Sequence, residues 1–207
     1  MFYLGWSTEP PNHRTTKPPN HQTVKAAYIL FNGITFLDFI GVYDPLSRLQ
    51  SQGHLPGFSW DTCAITPSVS DSFGLEMKVD KVRPDLSGYD LLIVPGGFGT
   101  RALQKDSGFV NWLQTAADVP LKTSVCTGAL LLGAAGFLQG YRATTHFNEY
   151  DGLTPYCKEV VRKELVDDGA VITAGAVASS LTLGLYLCEK FVGPEKTEMV
   201  RKSMAYR

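Results

Sequence analysis

The sequence predicts an α/β protein: a three-layer α/β/α sandwich on a mainly parallel sheet. Three observations carry that prediction. Short apolar runs alternate along the chain with helix-length amphipathic runs. One apolar run, YDLLIV at Tyr89–Val94, is almost unbroken, which suits a central strand covered by helices on both faces. Finally, two of the runs end in turn residues, Asn32-Gly33 and Pro95-Gly96-Gly97, where a strand can reverse into a helix.

Taken in order, KAAYILF at Lys25–Phe31 reads as a buried strand and ITFLDFIGVYDPLSRLQ as the helix after it. Pro45 predicts a late start or a bend near Asp44, because proline lacks the amide that a helix interior uses. FSWDTCAI at Phe58–Ile65 alternates like a strand, and Ser72–Val82 holds a turn and an extended piece. Beyond Val94 the pattern predicts a helix over Asp106–Val119, capped by Asp106 or Ser107, then a strand at Leu121–Val125 and a helix at Thr127–Ala135. Arg142–Thr145 is short and extended, and Glu164–Val166 and Ala170–Thr173 flank an Asp167-Asp168-Gly169 turn. Val177–Val192 reads as a long apolar helix, and Pro194–Tyr206 as a terminal helix with proline in its first turn.

A chain of 207 residues suits one domain with one substantial core, expected over residues 24–207. Residues 1–23 carry two Pro-Pro pairs and little apolar periodicity, and are expected to form a disordered tail. A formal net charge of −1 gives no electrostatic reason to expect nucleic acid or an anionic membrane, so the expected partner is a small molecule. No run approaches the roughly 18 apolar residues that a membrane helix needs. The four cysteines, Cys63, Cys126, Cys157 and Cys188, form no CxxC pair and no metal-ligand spacing. Neither a zinc site nor a disulfide framework is expected, and a reducing cytoplasm fits the free thiols.

In a parallel sheet the ligand crevice lies at the carboxyl ends of the strands. Asp38, Gly96-Gly97 and Cys126, which follow the predicted strands ending at Phe31, Val94 and Val125, are therefore expected to meet there. Cys126 sits in SVCTGALLLGAAG, where a strand turns at once into a helix; that is the geometry of a nucleophile elbow, with Gly128 and Ala129 as the small neighbours it requires. Two readings stand for it, a small buried hydrophobe or a nucleophile whose thiolate is favoured by a helix N-terminus. Lowering a free thiol from about 8.5 to about 6 takes roughly 3.4 kcal/mol, whereas the helix dipole supplies roughly 0.3–1 kcal/mol, so direct N–H donors would have to provide the rest. Cys63, Cys157 and Cys188 lack that context and read as structural.

From Lys25 to Arg207 the chain resembles the ThiJ/PfpI superfamily, with its flavodoxin-like, class I glutamine amidotransferase-like fold, and within it the isonitrile hydratase branch. The resemblance rests on ITFLDFIGVYDPL, YDLLIVPGGFG, SVCTGALLLGAAGFLQGYRATTHF and GAVITAGAVASSLTLGLYL. It implies that Cys126 is the elbow cysteine, Asp38 the acid facing it, and Thr127 a third catalytic residue. It further implies that Gly97, with neighbouring Gly96 and the Thr127 backbone, binds an oxyanion or substrate, that His146 lies near the site, and that the protein is a homodimer. Thr127 stands where proteolytic members carry histidine, which argues against a Cys-His protease. Asp38 stands where glyoxalase or deglycase members commonly carry glutamate. Alternatives remain at each position: Asp38 as a helix cap, Gly96-Gly97 as turn residues, His146 as a hydrogen-bonded structural histidine, and Thr127 acting through its backbone N–H alone.

The implied activity is a cofactor-independent lyase, with no metal, that adds water to an isonitrile and releases an N-substituted formamide. Cys126 would attack the terminal carbon and Asp38 would deliver a proton, giving a thioimidate that water then resolves. This requires Asp38 to be protonated or to share one proton with Cys126. The competing expectations are a non-catalytic ligand-binding or cysteine redox-sensing module, and a glyoxalase/deglycase-like enzyme.

Overall fold

The computed structural model describes residues 23–206. The expected tail over 1–23 lies outside the described residues, apart from Thr23, which opens the first strand.

The strands are β1 (Thr23–Ile29), β2 (Gly57–Ala64), β3 (Ser68–Ser70), β4 (Glu76–Lys78), β5 (Lys81–Val82), β6 (Leu91–Val94), β7 (Leu121–Val125), β8 (Arg142–Ala143), β9 (Glu159–Val160), β10 (Leu165–Asp167) and β11 (Val171–Ala174). The helices are α1 (Phe36–Ser51), α2 (Thr100–Leu103), α3 (Ser107–Gln114), α4 (Gly128–Ala134), α5 (Tyr150–Leu153) and α6 (Ser179–Ser203). Seven strands form one sheet in the order β10-β11-β7-β6-β1-β2-β5. All its pairings are parallel except that of β10 with β11, the hairpin read from Asp167-Asp168-Gly169. Leu91–Val94 is buried throughout, as are Lys122–Val125 and Val171–Ala174, because helices cover both faces of the middle of the sheet.

From β1 the chain crosses through α1 to β2 on one side, and from β6 it crosses through α2 and α3 to β7 on the other. Right-handed crossovers in opposite directions put their helices on opposite faces. Accordingly α1 packs on α6 over one face, and α2 and α5 pack on α4 over the other. The strand order reverses between β1 and β6, which opens the crevice beyond their carboxyl ends.

Several elements depart from expectation for identifiable reasons. Helix α1 runs unbroken through Pro45, and the Gly41 carbonyl that proline leaves without an amide faces Gly184 of α6, where an added Cβ would come within 2.8 Å of it. The helix expected over Asp106–Val119 starts as predicted, with Asp106 accepting the N–H groups of Gly108 and Phe109, but ends at Gln114. Ser72–Val82 splits into the end of the β3–β4 hairpin and the edge strand β5. By contrast, the two helices expected after Val177 are both present within the span labelled α6, separated at Gly193, whose φ 80° and ψ 171° are non-helical, just ahead of Pro194. Among the described residues no helix is long and apolar enough to cross a membrane.

Candidate active site

Strand register decides which residues share the crevice. Val94 pairs with Ser124 and Val125 with Ala174, so β6, β7 and β11 end level and Cys126 is the first residue beyond the sheet. Cys126 takes φ +54°, the left-handed region that a Cβ makes costly by about 1–3 kcal/mol for a non-glycine residue. Two bonds hold it there: its N–H donates to the Ala174 carbonyl at 3.0 Å, and its own carbonyl accepts the Thr145 hydroxyl at 2.8 Å. Gly128, which opens α4, fits because a Cβ would lie 2.1 Å from the Val94 carbonyl oxygen.

Asp38 lies in the first turn of α1 and has no exposed surface. The cap position belongs to Thr35, and the Asp38 carboxylate leaves its own helix to accept the Gly96 N–H through Oδ2 at 2.9 Å. Its other oxygen, Oδ1, is buried without a hydrogen-bond partner. Gly96 is enclosed on three sides: a Cβ there would come within 2.6 Å of Thr127 N, 2.8 Å of Asp38 Oδ2 and 2.8 Å of Cys126 Cβ. Asp38, Gly96, Cys126 and Thr127 thus meet around one point, although the first two are 58 positions apart in the chain.

The amides of Gly96 and Gly97, expected at an oxyanion- or substrate-binding position, each have a partner within the protein. The Gly96 N–H serves Asp38, and the Gly97 N–H serves Thr127 Oγ1 at 3.0 Å. The Thr127 hydroxyl also lies 3.1 Å from the Gly97 carbonyl as its donor, so this side chain ties the elbow to the loop after β6. Gly97 is more than a turn residue: at φ +141° its added Cβ would fall 2.3 Å from the Gly33 carbonyl oxygen, where the loops after β1 and β6 touch.

The electrostatics also differ from expectation. Burial pushes the Cys126 thiol up to about 12, and the negative charge of Asp38 pushes the same way. The N–H and hydroxyl of Thr127 act on the sulfur in the opposite sense without overcoming burial. Burial likewise raises Asp38 to about 6, held from rising further by the Gly96 N–H and by Cys126. Burial and the Asp38 charge thus oppose the helix N-terminus at the sulfur, and the two groups titrate as one coupled pair.

His146 is half-buried, with Nδ1 accepting the Asn148 N–H at 3.2 Å and its ring against Phe147 at 4.1 Å. Among the described residues no hydrogen bond joins it to Cys126 or Asp38. Thr145 and Ala174 were not singled out from sequence. The ATTH run held Thr145 in plain view, but nothing local marks its hydroxyl as a partner of Cys126. Around the rim, Phe98 follows Gly97 and Phe147 follows His146, and both rings are exposed. Arg101 lies over Phe98 and pairs with Glu149, linking the loop after β6 to the turn after β8.

A family model for DJ-1/PfpI matches residues 24–190. The chain belongs to the DJ-1/PfpI family. Among its relatives, isonitrile hydratase from Pseudomonas putida is 35% identical over 184 residues, 88% of this chain and 78% of that protein. Deglycase PfpI from Pyrococcus furiosus is 26% identical over 144 residues, 68% of this chain and 85% of that protein. Among solved structures, a ThiJ/PfpI family protein from Pseudomonas syringae matches with a TM-score of 0.81 at 26% identity, over 97% of this chain and 82% of that one. The four segments that carried the resemblance therefore identified the family, and the DJ-1/PfpI relatives share the mainly parallel α/β sheet described above.

Proposed function

We propose that this protein is a cofactor-independent isonitrile hydratase-like lyase with Cys126, Asp38 and Thr127 as its catalytic residues. One observation carries the reading: the buried Asp38 carboxylate accepts the Gly96 N–H through Oδ2, and a Cβ on Gly96 would lie 2.8 Å from both that oxygen and Cys126 Cβ, so acid and thiol face one point. An isonitrile R–N≡C needs a soft nucleophile and a proton at the same carbon, and this pair holds both.

The proton states refine the route. At rest Cys126 is S–H and Asp38 a carboxylate. As sulfur bonds to the terminal carbon, its proton passes to Asp38 and then to that carbon, giving the thioimidate R–N=CH–S–Cys126. Asp38, again a carboxylate, takes a proton from water as the oxygen adds to the same carbon. Asp38 passes that proton to the nitrogen, then carries the proton of the new hydroxyl to sulfur as the carbonyl forms and the C–S bond breaks, and the products are R–NH–CHO and the free thiol. The Thr127 N–H, which acts on the sulfur at rest, stabilises the sulfur as it leaves. A deglycase relative is present, but no observation of this site favours that chemistry over hydration. A buried, protonated sulfur also suits turnover better than redox sensing, which calls for an accessible thiolate.

The same reading includes a homodimer, supported by Leu37 and Ile40, exposed apolar residues that flank Asp38 on α1. It also includes a reducing cytoplasmic location, supported by four free cysteines. The test is formamide production from a simple alkyl isonitrile by the wild type, Cys126→Ala and Asp38→Asn. Loss of about a hundredfold or more in each variant is expected. Absence of wild-type turnover would refute the function, and activity surviving in both variants would refute the mechanism.

A further inference from the structure

We propose that Thr145 is a positioning residue for the nucleophile: its hydroxyl, bonded to the Cys126 carbonyl, fixes the peptide plane that aims the Thr127 N–H at the sulfur. The observations are independent of the substrate. Thr145 is fully buried, and its Oγ1 lies 2.8 Å from the Cys126 carbonyl oxygen. That carbonyl and the Thr127 N–H belong to one trans, planar peptide unit, so they point in opposite directions. A donor that grips the carbonyl from behind therefore sets where the N–H points in front. In front lies the crowded point already described, with Thr127 N within 2.6 Å of where a Cβ on Gly96 would be.

The other end of the elbow is held separately, by the Cys126 N–H on the Ala174 carbonyl. Without Thr145 the backbone at φ +54° would keep that anchor but lose the one on its carbonyl, and the 126–127 peptide could rotate toward an unstrained conformation. The segment that presents Thr145 is itself fixed. The Thr144 N–H donates to Thr173 Oγ1 at 2.8 Å on β11, and the Thr144 hydroxyl donates to the Lys163 carbonyl at 3.0 Å. Hydrogen bonding to a carbonyl also polarises the amide it is conjugated with, so the Thr127 N–H becomes a better donor.

The inference rests on Cys126 as the nucleophile, and its test uses alkylation of Cys126 by iodoacetamide, which needs no isonitrile. The rate is followed against pH by mass spectrometry in the wild type, Thr145→Val, Thr145→Ser and Thr144→Val, with hydration kinetics measured alongside. Thr145→Val is expected to slow alkylation about tenfold near pH 8, to displace its pH profile upward, and to lower kcat about tenfold with KM within about twofold. Thr145→Ser, which keeps the donor, is expected to restore both rates to within about threefold. Thr144→Val lowers thermal stability without displacing the profile, which separates positioning from general support. If Thr145→Val does not fold, Thr145→Ala gives the same comparison without added bulk. A wild-type alkylation profile in the variant lacking the hydroxyl, or no rescue by serine, overturns the proposal. Alkylation behaving as expected in a protein that hydrates no isonitrile would refute the proposed function and leave the role of Thr145 standing.

Discussion

Gly96 donates its N–H to Asp38 Oδ2 at 2.9 Å, and a Cβ placed on Gly96 would lie 2.8 Å from that same oxygen. The amide that orients the acid thus belongs to the residue whose lack of a side chain lets the acid approach.

Gly96→Ala should separate these roles. Two of the atoms its Cβ would meet, Thr127 N and Cys126 Cβ, are backbone or next to it and cannot swing away. Overpacking of this kind costs about 1–3 kcal/mol, so a lower melting temperature is expected, together with a loss of hydration activity of about tenfold or more. Unchanged kinetics in the alanine variant would show that the approach of Asp38 to Cys126 is not needed.

The pH dependence of turnover follows from Asp38 at about 6 and Cys126 at about 12. The productive resting state has the carboxylate ionised and the thiol protonated, so kcat/KM should rise with pH through about 6 and then stay level through the neutral range. Asp38→Asn should abolish that limb and speed Cys126 alkylation at neutral pH, because the negative charge that raises the thiol is gone. A wild-type profile without an acid limb would contradict the shared-proton arrangement.

Asp38 should also leave a mark on stability. Its folded pKa is raised above the unfolded carboxyl value, so the fold binds this proton more tightly than the unfolded chain does. Stability is therefore fullest below about pH 4 and declines as pH rises to about 6, by roughly 3 kcal/mol for a shift of about two units. Asp38→Asn, which cannot ionise, should be more stable than the wild type at pH 7.5 by about 1–3 kcal/mol, with the difference vanishing near pH 4. Denaturant unfolding at the two pH values measures this directly, and a variant less stable at both would contradict the assignment.

The proposed homodimer makes a separate prediction. Leu37 is 54% exposed and Ile40 44% exposed on the outer side of α1, a costly placement for an isolated subunit when the two adjoin. Replacing both with glutamate should convert a dimer to a monomer in sedimentation velocity, while circular dichroism retains the α/β signature. A monomeric wild type would remove the proposal.

Much of the fold was legible because its elements are locally encoded. The burial of Leu91–Val94 on both faces, the Asp106 cap and the Asp167-Asp168-Gly169 hairpin each follow from residues adjacent in sequence. The unbroken course of α1 through Pro45 is not encoded locally, because what accommodates the proline is Gly184, on a helix 139 positions later. The partner of Thr145 is likewise invisible locally, since Cys126 lies 19 positions away across a helix and a turn.

The sequence by itself determined the family, the order of the main strands and helices, the glycines that let loops touch, and the candidates Asp38, Cys126 and Thr127. Only the tertiary structure decided how those groups hold their proton. The sequence reading favoured a thiolate from a local feature, the helix N-terminus. The fold sets an opposing effect against it, because desolvation depends on everything packed around a group, and Cys126 is buried beside Asp38. A helix end can be recognised from a few neighbouring residues. The dielectric environment of a sulfur atom exists only once distant segments have come together.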